Sequence, residues 1–90
     1  MWKFRLYVAD QTPRSTRAIE NLAAFCEEQF PGHYRIEVVD VIAKPKLART
    51  ENIVALPTLV RRKPAPMRRV IGDLSDTRRL ISGMRVRLSA

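Results

Sequence analysis

The chain has 90 residues, of which 46% are apolar and 29% charged, with a formal net charge of +8 at pH 7. A chain of this length supports one hydrophobic core, so we expect a single domain over residues 1–90. Lys3 and Arg5 interrupt the N-terminus before a signal-peptide core could form, and no apolar run is long enough to span a membrane. We therefore expect a soluble, cytoplasmic protein, and the single cysteine, Cys26, excludes an internal disulfide.

The positive charge is concentrated in the last third of the chain. Residues 1–60 carry eight Lys or Arg and seven Asp or Glu, whereas residues 61–90 carry nine and two, an excess of +7. A basic surface of this kind attracts an acidic protein face, a nucleic acid or an anionic membrane. Composition alone does not choose among these three partners.

The first half of the chain predicts a βαβ unit. Apolar residues alternate with polar ones from Trp2 to Val8, which indicates a strand with one face on a core. Thr12 then caps a helix that has Pro13 at its first position. A second strand is predicted over residues 34–41, and such a crossover places the two strands parallel. The apolar stripe predicted for the helix consists of Ile19, Leu22, Ala23, Cys26 and Phe30.

The second half predicts a short helix, two strands and a last helix. Pro45 opens a helix whose apolar positions include Leu47, Ala48 and Val54, and Pro57 prevents its continuation. Strands are predicted over residues 58–62 and 67–71, followed by a helix capped by Asp73 or Ser75. The resulting order, βαβαββα, is that of an α/β protein with a mixed sheet and helices on its faces.

The last predicted element is ambiguous. Leu80, Ile81, Met84 and Leu88 fit a helix, while the alternation from Met84 to Leu88 fits a strand. Gly83 adds to the ambiguity because glycine inside a helix costs about 1 kcal/mol relative to alanine. Such conflict is typical of a chain with two accessible packings, although a frayed final turn is the commoner cause.

Two features resemble the thioredoxin superfamily. One is the helix that opens directly after the first strand, and the other is the segment Leu56, Pro57, Thr58 at the start of the third strand. In that superfamily the first position carries Cys-x-x-Cys and the second a cis proline facing it. Here Thr12 and Ser15 occupy the cysteine positions. Hydroxyl groups do not ionise near neutral pH, whereas the thiol of an activated cysteine does. We therefore expect no dithiol chemistry and no enzymatic activity.

Longer segments resemble the KaiB family, a group of small bacterial clock proteins, over nearly the whole chain. They are Leu6–Ala9, Thr12 with Pro13, Val39–Val41, Pro57–Leu59 and, most specifically, Ile71–Asp76. The resemblance implies a non-enzymatic regulator that binds a KaiC-like ring ATPase in circadian timing or stress adaptation. It also implies KaiA or a SasA-like kinase as further partners where these exist, and no cofactor or metal.

The same resemblance implies a second fold. KaiB proteins can adopt a βαββααβ arrangement, often as a homo-oligomer, in which the half that begins near Pro57 is refolded. We expect Pro57, which the resemblance implies is cis, together with Gly72, Asp73, Gly83 and Arg85 to influence which fold forms. Arg85 stands where the family pattern suggests an acid, and a cation near a helix C-terminus is favourable by about 0.3–1 kcal/mol.

Four arginines match basic positions that the resemblance implies are used toward KaiC, namely Arg17, Arg61, Arg68 and Arg69. An ordinary solvated face is the alternative for each of them. Cys26, on the apolar stripe, is expected to be a buried hydrophobe, and His33 a surface loop residue without metal-binding companions. Tyr7 is expected to pack beneath a helix or to meet a partner.

Two other functions remain open from the sequence. The fold permits a thiol oxidoreductase, which the replacement of both cysteines opposes. The basic last third permits a nucleic-acid-binding module, although interleaved aromatic residues and a known binding motif are missing from the sequence. Steep salt dependence of binding to DNA or RNA would favour the latter.

The charge at position 85 leads to the first testable prediction. We expect the thioredoxin-like form to predominate in the free protein, because Arg85 stabilises a C-terminal helix that an acid would destabilise. Backbone NMR chemical shifts of the free protein measure this directly. A stable strand over residues 84–88 would contradict it.

Overall fold

The computed structural model describes residues 1–86, and its elements follow the predicted order βαβαββα. They are β1 (Trp2–Val8), α1 (Pro13–Gln29), β2 (Tyr34–Asp40), α2 (Pro45–Thr50), β3 (Thr58–Lys63), β4 (Arg68–Ile71) and α3 (Thr77–Met84). The four strands form one sheet in the order β2-β1-β3-β4. β1 is parallel to β2 and antiparallel to β3, and β3 is antiparallel to β4, so the predicted mixed sheet is confirmed.

The two faces of β1 contact two separate hydrophobic clusters. Phe4, Leu6 and Val8 belong to the larger cluster, which also contains buried residues of α1 and α3. Tyr7, which is fully buried, packs on the other face with Val39 and Val60 and with partly buried residues of α2. The expectation that Tyr7 packs beneath a helix is thus confirmed.

α1 begins as predicted but buries a different stripe. Its N-cap is Thr12, with Pro13 in the first turn, and its buried residues are Ser15, Ala18, Leu22, Phe25 and Cys26. Ile19 is 37% exposed and Ala23 is also exposed, so these two were wrongly placed on the buried face. The face that meets the sheet is set by the docking angle of the helix, which the apolar spacing does not specify.

The predicted short helix is shorter than expected. α2 ends at Thr50, and the chain turns through Asn52, whose φ of +54° lies in the left-handed region. Ile53 then packs against the Tyr7 cluster, whereas Val54 is 92% exposed, so the prediction that Val54 belongs to the helix was wrong.

Strand boundaries differ by one residue from the predictions. β2 ends at Asp40 rather than at residue 41, and β3 extends to Lys63 rather than ending at residue 62. β4 begins at Arg68 rather than at Met67, which is 51% exposed in the turn.

α3 resolves the ambiguity of the C-terminal segment within the described residues. Its N-cap is Asp76, whose carboxylate accepts a hydrogen bond from the Arg79 backbone N–H at 3.1 Å, and not Asp73 or Ser75 as predicted. Leu80 and Met84 are buried on the side of the helix that meets the sheet. Residues 87 and 88, which belong to the ambiguous segment, lie outside the described residues.

Gly83 and Arg85 are both at the C-terminal end of α3. A Cβ atom at Gly83 would collide with Val70 Cγ2, so glycine allows α3 to approach β4 closely. Arg85 is the C-cap in the left-handed region, with a φ of +53°, and its N–H donates to the carbonyls of Ile81 and Ser82. Its charge therefore lies at the negative end of the helix dipole, where we predicted that it stabilises this fold.

Pro57 and Gly72 connect the start of β3 to the end of β4. The Leu56–Pro57 peptide bond is cis, as the resemblance implies. The Gly72 N–H donates to the Pro57 carbonyl at 2.9 Å. Gly72 has a φ of +122°, a conformation that side chains rarely adopt, so the turn after β4 requires glycine.

The docking of α3 gives a stability prediction. Leu80→Ala removes a side chain that is 1% exposed and leaves a cavity, so we expect the free energy of unfolding to fall by about 2–5 kcal/mol. The matched control in the same helix is Ser82→Ala, where Ser82 is exposed and we expect a change within about 0.5 kcal/mol. Equal urea denaturation midpoints for the two variants would contradict the packing of α3.

Candidate functional site

The position of the thioredoxin cysteines is occupied by two hydroxyls that start α1. The Thr12 hydroxyl donates to Ser15 Oγ at 2.7 Å, and the Ala9 backbone N–H donates to the same oxygen at 3.1 Å. Thr12 Oγ1 in turn accepts from the Ser15 backbone N–H at 3.3 Å. These hydroxyls therefore satisfy backbone and side-chain groups at the helix start, and neither is held as a nucleophile.

A small groove of about 340 Å³ separates these hydroxyls from the cis proline. It is lined mainly by apolar atoms of Ala9, Pro13, Leu56 and Pro57. The groove keeps the shape of a thioredoxin-like site but contains no thiol. Disulfide exchange needs a thiolate here, so this site does not provide that chemistry.

Cys26 is buried, as expected. The residue is fully inaccessible in the larger cluster, and burial raises the pKa of its thiol to about 12. It lies in the C-terminal half of α1, far from the helix start where the dipole favours a thiolate.

The structure does not bring the four predicted arginines together. Arg17 is exposed on α1, and its Nε lies 3.5 Å from the Asp73 carboxylate. Arg69 lies on the α2 face of the sheet, where its guanidinium donates to the carbonyls of Glu51 and Asn52. Arg61 and Arg68 lie opposite each other on β3 and β4, on the face that meets α3.

Arg61 is not a surface residue in this fold. It is 4% exposed, and its two terminal nitrogens donate to the carbonyl oxygens of Met84 and Pro66, at 2.5 and 2.8 Å. Its Cζ atom also lies 5.6 Å from the centre of the Trp2 ring. Arg61 therefore joins the β3–β4 turn to the end of α3, and its contact with a partner stays a prediction.

Asp73 anchors the loop between β4 and α3 to α1. The pKa of its carboxyl is lowered, first by hydrogen bonds from Ser75 and then by Arg17. The Asp73 carbonyl accepts from Asn21 Nδ2 at 2.8 Å. The sequence marked Asp73 as important for the fold, but its role as the neighbour of Arg17 emerges only from the structure.

Charges on the α2 face form a network that the sequence analysis missed. Arg5 Nε pairs with Glu37 at 2.7 Å, and Arg62 pairs with Glu51 at the same distance. Arg5 also lies 3.7 Å from Glu51. The alternation of side chains along β1 and β3 could have indicated this network, because it directs both Arg5 and Arg62 away from the larger cluster.

The remaining predictions for residues 1–86 concern metal binding and membrane insertion. No group of three or more His, Cys, Asp or Glu residues in this part of the chain is arranged to hold a metal ion. His33 is exposed in the turn before β2. None of the helices in the same range is long and apolar enough to cross a membrane.

Sequence comparison identifies one family. The model of the KaiB domain matches residues 5–86. A circadian clock oscillator protein KaiB from Microcystis aeruginosa is 45% identical over 80 residues, which is 89% of this chain and 77% of that protein. The KaiB of Prochlorococcus marinus is 46% identical over 89% of this chain and 67% of its own length.

Structural comparison places the fold among thioredoxin-like domains. The N-terminal domain of SasA from Synechococcus elongatus superposes with a TM-score of 0.77 at 20% identity, covering 99% of this chain and 88% of that one. Mitochondrial thioredoxin 3 from Saccharomyces cerevisiae gives a TM-score of 0.74 at 20% identity, covering 93% and 76%. At this identity the likeness establishes the fold, and the predicted thioredoxin-like architecture is confirmed.

The burial of Cys26 gives a test of the redox alternative. With a thiol pKa of about 12 and no exposed surface, the native protein should react with iodoacetamide at pH 8 far more slowly than the urea-unfolded protein. The Cys26→Ser variant is the blank for both states, and mass spectrometry counts the labelled thiol. Equal labelling rates for native and unfolded protein would show that the thiol is accessible.

Proposed function

Because the chain belongs to the KaiB family, we propose that it is a non-enzymatic regulator that acts by binding a KaiC-like ring ATPase. The observation that carries this proposal is the identity of about 45% over 89% of the chain to proteins named as circadian clock oscillator proteins. These relatives support a role in circadian regulation, and binding to the ring is the specific form of that role that we propose.

The redox-site position supports a binding role rather than catalysis. The groove between the α1 start and Pro57 keeps its shape, while its polar atoms are engaged in hydrogen bonds within the chain. A domain with this fold and no thiolate can bind a partner through its shape and charge, but this site has no nucleophile that would react with the partner.

We propose that Arg17 and Arg69 contribute to the contact with the ring, with Arg68 at its margin. Arg17 and Arg69 are both exposed. Arg17 lies beside the Asp73 carboxylate, and Arg69 donates to backbone carbonyls. A carboxylate of the partner can replace either of these acceptors. Arg61 would act indirectly, by holding the β3–β4 turn against α3.

The shared fold also supports a proposal about competition. The SasA N-terminal domain has the same thioredoxin-like architecture over almost the whole chain. Where a host contains a SasA-like kinase, we propose that the two domains compete for one surface of the ring.

The test is direct binding to the KaiC-like ATPase from the same genome, measured by isothermal titration calorimetry with ATP and with ADP present. We expect Arg17→Glu and Arg69→Glu each to weaken binding by about tenfold or more, since charge reversal replaces attraction by repulsion. The matched control is Arg35→Glu, which makes the same charge change at an exposed site on β2.

The outcomes separate the two parts of the proposal. The absence of a complex with either nucleotide would contradict KaiC binding itself. A complex weakened equally by Arg35→Glu would contradict the assignment of Arg17 and Arg69, because net charge alone would then explain the effect. Thermal unfolding of each variant confirms that the fold is retained.

A further inference from the structure

A second basic site lies at the opposite end of the sheet from the groove beside Pro57. It is a groove of about 930 Å³ between the β3–β4 turn and the C-terminal end of α3. We call it the turn groove. Its lining includes Trp2, Phe30, Pro64 and Pro66, together with the arginines Arg61, Arg68 and Arg85.

The three arginines of the turn groove have no acidic counterpart there. Arg61 and Arg68 are directly opposite each other in the antiparallel β3–β4 pair, an arrangement that is unfavourable for like charges. Burial lowers the pKa of Arg61, and the positive charges of Arg68 and Arg85 lower it further. Within residues 1–86 no Asp or Glu lines the groove.

The guanidinium groups also keep unused hydrogen-bonding capacity. Arg61 donates only to neutral carbonyls, and the buried Nε atoms of Arg61 and Arg68 find no acceptor among the described residues. An unpaired buried donor on a charged group is costly. Arg85, which is exposed at the rim, completes a cationic wall that solvent reaches.

From this arrangement we propose that the turn groove binds the phosphate groups of a small phosphorylated molecule, with Arg68 and Arg85 as direct ligands and Arg61 as a fixed buried charge. A phosphate carries about −1.5 to −2 near pH 7, which matches the two accessible arginines better than a single carboxylate does. Its oxygens also accept the paired N–H groups that guanidinium presents.

The aromatic residues of the groove favour a compact phosphate over a stacked nucleobase. The Trp2 ring already stacks on Phe30, with ring centres 4.4 Å apart, and Arg61 lies over the same ring. A base that stacked on Trp2 would have to displace one of these neighbours. Nucleic acids that bind through stacking are therefore the less favoured ligands.

Phosphate binding is measured on the free chain, without the proposed partner, and the chain provides its own probe. Trp2 is the single tryptophan and lines the turn groove. Titration with inorganic pyrophosphate at constant ionic strength should give a saturable change in Trp2 fluorescence and raise the melting temperature. We expect Arg68→Gln and Arg85→Gln each to weaken pyrophosphate binding by about tenfold, through the loss of charge-assisted hydrogen bonds.

The matched control is Arg35→Gln, at the same end of the sheet. Arg35 is exposed and lies opposite Lys3, a strand position whose side chain points away from the Trp2 side. The affinity of the Arg35→Gln variant for pyrophosphate should stay within about twofold of that of the unmodified chain. The Arg35 charge points to the other face of the sheet and is screened by solvent, so it contributes little. The unfolding midpoint of each variant shows that the fold is intact.

Four results would overturn the proposal. The first is a response to pyrophosphate that does not saturate at constant ionic strength, and the second is an equal loss of affinity in Arg35→Gln. The third is equal binding of citrate, which would make the site a general anion site without phosphate preference. The fourth is tighter binding of a short single-stranded DNA through the same arginines, which would favour a nucleic-acid site.

Discussion

The central position of β1 is the constraint on which the rest of the structure depends. β1 pairs with β2 on one side and β3 on the other, and each of its faces carries large side chains that must be covered. One face is covered by α1 and α3, which pack on Phe4, Leu6 and Val8, and the other by α2, which packs on Tyr7. Every side chain of β3 and β4 is then assigned to one of these two faces by its register with β1.

This division explains why the basic residues of the second half do different things. Alternation along β3 puts Arg61 on the same face as Leu59, beneath the end of α3, and puts Arg62 on the other face, where it pairs with Glu51. Arg68 and Arg69 are divided in the same way on β4. Residues adjacent in sequence thus contribute separately to two features. One is the turn groove, which residues 1–86 line without an Asp or Glu, and the other is the charge network on the α2 face.

Arg17 and the turn groove lie at opposite ends of the sheet. Arg17 lies near Asp73, at the end of the sheet where β1 leads into α1, whereas Arg61, Arg68 and Arg85 surround the opposite end, close to Trp2. A small ligand in the turn groove would bind at the second end, and Arg68 is common to this groove and to the margin of the proposed partner contact. Since Arg61 contacts the carbonyls of Met84 and Pro66, such a ligand would act on the residues that hold α3 in place.

The sequence by itself determined the order of the elements, the family and the absence of a cysteine pair. Period-two alternation, the Thr12–Pro13 helix start and the segment Ile71–Asp76 are local signals, and local signals survive without knowledge of the tertiary fold. The same logic placed Cys26 in the core and Tyr7 under a helix. The ends of the helices and strands are not determined by such local signals. Asp73, Ser75 and Asp76 can each act as an N-cap, and only the docking of α3 selects Asp76.

The tertiary structure alone decided which arginines are available. Arg61 was grouped with Arg17, Arg68 and Arg69 because the family resemblance implies basic contact positions there, yet in this fold it lies on the core face together with Leu59. Its burial is tolerable because the neighbouring β3–β4 turn and the end of α3, which is distant along the chain, each present a carbonyl to its guanidinium. Hydrogen bonds between segments so far apart depend on how the segments pack, and no local pattern in the sequence encodes them.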